Sequence, residues 1–167
     1  YKRQIHNVDA DQTGWSALCD ALPASPLEEL IAADVGMGVK GVTSLAKAMS
    51  AGAALKKVVL SQNVAFGLKK LGRYTVHDID ADQTGWSALC DVLPAAPLEE
   101  LIVADIGMGV TGVTSLAKAI SSMAALKSLT VGQNAIGGPC AVRLIDGAEP
   151  GVSVKNGVFA AVDGRWG

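Results

Sequence analysis

The chain has 167 residues; half of them are apolar, 4% are aromatic and 18% are charged, and the formal net charge is −2. This composition is typical of one folded domain or one short repeat array, and it excludes intrinsic disorder. The near-neutral charge argues against a nucleic acid partner, and the lack of an uninterrupted apolar run of about 18 residues predicts that the chain has no transmembrane span.

An internal duplication dominates the sequence. Residues 5–63 align without a gap with residues 76–134, and about 43 of the 59 positions are identical. Several differences exchange one apolar side chain for another, as at Val35/Ile106 and Val58/Leu129. Buried positions tolerate such exchanges, so we expect these residues to lie in the core.

Each copy opens with the same two predicted elements. A weak strand, at Gln4–Val8 and again at Tyr74–Ile79, precedes a helix that begins near Trp15 or Trp86. A proline after the last leucine of each helix stops it.

A strand with the pattern L-x-x-L-x-L comes next. Apolar residues alternate in Leu27–Ala32 and, about 28 residues later, in Leu55–Leu60, which predicts short strands with one buried face. Between them, apolar residues from Val42 to Met49 recur at helical spacing. The repeating unit is therefore a strand, a turn and a helix.

These residues resemble the leucine-rich repeats of the ribonuclease-inhibitor-like or NOD-like-receptor type. The unit of that type reads L-x-x-L-x-L-x-x-N-x-(L)-x-x-x-G-x-x-x-L-x-x-x-L, and the resemblance covers residues 1–138. It implies an α/β fold: a right-handed leucine-rich-repeat solenoid with a parallel sheet on the concave face and helices on the convex face.

Two features depart from this pattern. Asparagine occupies the strand-exit position only at Asn63 and Asn134. The stretch Leu55–Lys70 has only about 16 residues, below the roughly 20 that a repeat of this class needs. Either this turn lacks a convex helix, or residues are absent from the sequence.

Residues 139–167 do not continue the repeat. The apolar segments 152–154 and 158–162 flank Asn156-Gly157, which is the pattern of a β-hairpin. We expect a short β-rich segment that either caps the solenoid or begins a second small domain.

The segment Asp9–Asp20 and its copy Asp80–Asp91 have the spacing of a calcium loop, with oxygen ligands at positions 1, 3, 5 and 12 and glycine at position 6. However, serine occupies position 8, and the preceding residues predict a strand where a calcium loop follows a helix. We therefore predict a polar turn in which Asp11 or Thr13 caps the next helix, and neither a metal site nor a cofactor.

The three cysteines are predicted to be free and largely buried. Cys19 and Cys90 occupy equivalent positions of the duplication, and strands stacked about 4.8 Å apart place them beyond the ~7 Å limit for a disulfide. Free thiols favour an intracellular location, in the cytoplasm or an organelle lumen. The sequence begins at Tyr1 without methionine, so we expect a fragment or a processed chain.

Residues that alternate with the strand leucines point to solvent. They form the candidate partner-binding surface on the concave face: Glu29, Ile31, Lys57, Val59, Arg73, Thr75, His77, Glu100, Ile102 and Thr130. Exposed aliphatic residues among mixed charges indicate a binding face, although strands also favour β-branched residues without any partner.

The sequence contains no self-sufficient catalytic motif, so we do not expect an enzyme. We expect a non-catalytic protein–protein interaction module that binds a partner through its concave face. The alternative is a structural or peripheral subunit of a large multiprotein assembly.

Overall fold

A computed structural model describes residues 8–71 and 74–136, together with the backbone of 152–155 and 158–161; for residues 70, 71 and 74 it describes the backbone alone. No helix within these residues is both long enough and apolar enough to cross a bilayer. Residues 4–7 of the predicted strand Gln4–Val8, the Asn156-Gly157 turn and Cys140 lie outside the described residues, and Val8 lies in a turn.

Between residues 8 and 136, the described part of the chain has four α-helices: α1 (Thr13–Ala21), α2 (Val39–Ser50), α3 (Thr84–Val92) and α4 (Val110–Ile120). The helices α1 and α3 each end in a 3-10 turn, at Leu22–Ala24 and Leu93–Ala95, that contains a proline. Proline lacks the N–H that would continue the α-helical bonds, so the predicted helix stops are confirmed.

Four short strands form a parallel sheet. They are β1 (Glu29–Ile31), β2 (Lys57–Val59), β5 (Glu100–Ile102) and β6 (Ser128–Thr130), and they lie side by side in that order. The described residues therefore form an α/β fold with four α-helices and a parallel four-stranded sheet.

The strand predicted at Tyr74–Ile79 is confirmed at Tyr74–His77, but the expectation that it belongs to the parallel sheet is wrong. Residues Leu68–Leu71 (β3) and Tyr74–His77 (β4) form an antiparallel hairpin of their own, and β2 pairs directly with β5. The hairpin occupies the connection between β2 and α3. This is why the neighbouring β2 and β5 positions are 43 residues apart, whereas the β1 and β2 positions are 28 apart.

The same hairpin explains the short stretch after Leu55. Within residues 60–71, all of which are described, the structure has turns and strand β3 but no helix. This stretch is therefore a turn without its own helix; that residues are absent from the sequence here stays a prediction.

Asn63 and Asn134 each connect the turn after one parallel strand to the turn after the preceding strand. The Oδ1 atom of Asn63 accepts hydrogen bonds from the backbone N–H groups of Val35 and Met37, and its Nδ2 donates to the carbonyls of Ala32 and Leu60. Asn134 makes the corresponding four bonds one copy later. A buried amide that satisfies four backbone groups fixes how β2 follows β1 and how β6 follows β5.

One hydrophobic core joins the sheet to the helices. The inward residues of the strands, among them Leu30, Val58 and Leu101, pack with apolar residues of all four helices. Trp86 is completely buried against Phe66, and its Nε1–H donates to the carbonyl of Gly112 at 2.9 Å. The tryptophan thus ties α3 to the first turn of α4.

The C-terminal segment contains the predicted hairpin. The strands β7 (Val152–Lys155) and β8 (Val158–Ala161) are antiparallel partners. Whether residues 139–167 cap the preceding part or begin a second domain stays a prediction.

Candidate functional site

The parallel sheet has one face turned toward the core and one turned away from it. Because side chains alternate along a strand, Leu30 and Leu101 point inward while their neighbours point outward. We call the outward side chains of the four parallel strands the open face: Glu29, Ile31, Lys57, Val59, Glu100, Ile102, Ser128 and Thr130.

An aliphatic row crosses the open face. Ile31 is aligned with Val59, and Val59 with Ile102, so three branched side chains lie next to one another on neighbouring strands. Strands pair about 4.8 Å apart, which places the side chains of the row in contact distance of their neighbours. Ile31 nevertheless leaves 65% of its surface exposed. Thr130 ends the row on β6.

A charged row runs parallel to the aliphatic one. Lys57 Nζ lies 3.0 Å from Glu29 Oε1 and 3.5 Å from Glu100 Oε2, so one ammonium group bridges two carboxylates. The hydrogen bond with Glu29 and the negative charges of both glutamates raise the pKa of Lys57.

A second set of ion pairs lies just before the strands begin. Lys56 pairs with Glu28 at 2.5 Å, and Lys127 pairs with Glu99 at 2.6 Å. The bond from Lys127 lowers the pKa of Glu99, and the bond to Glu28 raises the pKa of Lys56. A shallow depression of about 240 Å³ between β2, β5 and β6 is lined by Lys56, Lys57, Glu99, Glu100, Lys127 and Ser128.

Seven of the ten residues expected at the binding surface lie on the open face, and Ser128 joins them. Thr75 and His77 do not, because they belong to the hairpin strand β4, and Arg73 lies outside the described residues. The expectation that Thr75 and His77 continue the parallel strands is wrong. His77 is 5% exposed, and its Nε2 lies 3.3 Å from Asp105 Oδ1.

A local signal for this hairpin exists in the sequence. Gly72-Arg73 directly precedes the alternating segment Tyr74–His77, and a two-residue loop with glycine first is typical of a tight hairpin. The duplication points to a different arrangement, because it aligns residues 76–79 with residues 5–8 at the start of the first copy.

The calcium-like segments form polar turns that lead into α1 and α3. Asp11 Oδ1 accepts the N–H of Thr13, and Asp82 Oδ1 accepts that of Thr84, as expected for a capping turn. These bonds lower the pKa of both aspartates.

Asp80 caps a different helix. Its carboxylate accepts N–H bonds from Gly109, Thr111 and Gly112 at the start of α4. This carboxylate therefore faces three N–H donors and the positive end of the helix dipole of α4. Both disfavour a cation at the same place. Within 8–71 and 74–136, no group of three or more His, Cys, Asp or Glu side chains is arranged to hold a metal.

The thiols that the structure describes are buried and unpaired by disulfides, as predicted for Cys19 and Cys90. Burial raises the pKa of Cys19 to about 11 and that of Cys90 to about 12. The reactive thiolate is therefore scarce at neutral pH, which suits a packing role.

No family model matches the chain, and a search of curated proteins finds no significant match.

Proposed function

We propose that this chain is a leucine-rich-repeat solenoid module that binds a protein partner through the open face. The observation that carries the proposal is the aliphatic row Ile31, Val59 and Ile102, aligned across three strands on the side opposite the core. Contiguous apolar surface is costly to expose to water and usually marks an interaction site.

The charges around the row favour a partner with little net charge of its own. Around the aliphatic row, four glutamates face three lysines, and each lysine is already paired. Charges that are already paired within the face add little to the affinity for a partner. They disfavour any partner that would place a like charge next to them. Because Glu29 and Glu100 share the single ammonium group of Lys57, this part of the face has one negative charge in excess. We therefore propose a polypeptide segment that places aliphatic side chains on the row and one basic group near Glu29 or Glu100.

Rigidity supports this mode of recognition. The strands of the open face are held by the parallel ladder, and their exit turns are held by the buried amides of Asn63 and Asn134. A surface that is ordered before binding loses little conformational entropy when a partner docks.

Selection from a displayed library of short random peptides tests the proposal. Peptides selected on the unmodified chain should lose binding to Ile31→Glu and Ile102→Glu, which place a charge in the aliphatic row. Ser121→Glu is the matched control, because Ser121 is exposed just after α4. Failure to select any binder, or binders equally sensitive to the control, would overturn the proposal.

A further inference from the structure

The two copies of the duplication differ in what covers them. Leu18 is 43% exposed, whereas its counterpart Leu89 is completely buried; Leu27 is 48% exposed, whereas its counterpart Leu98 is completely buried. Both pairs have the same residue type, so the difference comes from the surroundings. In the second copy, α2 packs against α3 and β2 pairs with β5.

A glycine lies where α3 closely approaches α2 in this internal interface. A Cβ atom on Gly85 in α3 would overlap the carbonyl oxygen of Val39 in α2 and lie 3.2 Å from Thr43 Oγ1. The counterpart of Gly85 is Gly14 in α1, where a Cβ would have no atom within 4 Å. We call Gly14, Leu18 and Leu27 the α1–β1 face.

The surface that would cover the α1–β1 face is present elsewhere in the same chain. Helix α4 repeats the contact residues of α2: Val110 and Thr114 correspond to Val39 and Thr43, and Thr114 Oγ1 bonds to the Val110 carbonyl just as Thr43 bonds to that of Val39. Val110 is 54% exposed. We call Val110, Thr114 and the outer edge of β6 the α4–β6 face.

The two faces lie at opposite edges of the described sheet, of which β1 and β6 are the outer strands. They cannot meet within one molecule, but they can meet between two. We propose that the chain associates head to tail, with the α4–β6 face of one molecule on the α1–β1 face of the next, in the arrangement that joins α2 and β2 to α3 and β5. Such a heterologous contact leaves one face of each kind free and propagates.

Sedimentation velocity of the purified full chain over a wide concentration series tests this. The weight-average mass of the unmodified chain should rise with concentration. Gly14→Glu should weaken association at least about tenfold, because its side chain occupies the space that the next molecule needs. Ala24→Glu is the control: Ala24 and its counterpart Ala95 are both exposed, so this position lies outside the contact even where it is covered.

A mixing experiment distinguishes head-to-tail association from a two-fold dimer. Val110→Glu blocks the α4–β6 face and leaves the α1–β1 face intact, and Gly14→Glu does the opposite. Each variant alone should remain monomeric, whereas the mixture should form a one-to-one heterodimer and nothing larger. Circular dichroism confirms that both variants are folded.

Three results would overturn the proposal: a monomer at every concentration, association that neither variant weakens, or a mixture that stays monomeric. None of these bears on peptide binding at the open face, because that surface contains none of the substituted residues.

Discussion

Asp80 and Gly109 are 29 residues apart in the sequence, yet the carboxylate of Asp80 accepts the Gly109 N–H at 2.8 Å. Asp9 makes the same bond to Gly38 in the first copy. In both cases the aspartate precedes one helix and caps another, so the connection before α1 or α3 is held against the start of α2 or α4. The duplication therefore preserves a long-range contact as well as local elements.

Replacing Asp80 with alanine should destabilise the fold. Three N–H groups at the start of α4 would lose a charged acceptor, and loss of a helix cap costs about 1–2 kcal/mol. Urea unfolding measures the change, with Asp91→Ala on the exposed side of α3 as the control. A cost for Asp80→Ala no larger than that of the control would show that the cap is dispensable.

Asn63→Ala should cost more than about 2 kcal/mol, because it leaves buried N–H and carbonyl groups without partners. Asn63→Gln should not restore stability, since the longer side chain displaces the amide from its four partners. Asn134→Ala, which removes the corresponding bonds, is expected to behave alike. Equal stability of the Gln variant and the unmodified chain would contradict the bridging role.

The two matched glycines should respond in opposite directions to alanine. Gly85→Ala should lower the free energy of unfolding by about 1–3 kcal/mol, because the added methyl group overlaps the Val39 carbonyl. Gly14→Ala has open space and should raise it by up to about 1 kcal/mol, because alanine is the better helix former. Thermal unfolding of the two variants compares them directly, and identical effects would contradict the difference in surroundings.

Stability should pass through a maximum between the acid and alkaline ranges. Glu99, Asp11 and Asp82 have lowered pKa values, so their contribution is complete above the ordinary carboxyl range near 4 and is lost as the pH falls through the lowered values. Lys56 and Lys57 have raised pKa values, so their contribution is complete below about 10.4 and is lost as the pH rises through the raised values.

Urea midpoints measured across the pH range check this dependence. Glu99→Gln should reduce the loss on the acid side, and Asp20→Asn, on the exposed side of α1, is the control. An acid limb that Glu99→Gln does not alter would show that the Lys127–Glu99 pair does not contribute.

The sequence predicts the elements that local pattern determines. The alternation in Leu27–Ala32 and the helical spacing after Gly41 are properties of neighbouring residues, so the parallel strands and all four helices follow from them. The partner of a strand is not a local property. Tyr74–His77 alternates like the other strands, and only its pairing with Leu68–Leu71 removes Thr75 and His77 from the open face. The helix caps formed by Asp9 and Asp80 are not local either, because each aspartate bonds to a helix start 29 residues later in the sequence.

The most direct measurement of the open-face proposal is an amide chemical-shift map of the isotope-labelled chain during titration with a selected peptide. Binding at the aliphatic row should shift the amides of β1, β2, β5 and β6 and leave those of the hairpin β3–β4 unchanged. Shifts confined to the helices or to the hairpin would contradict the account.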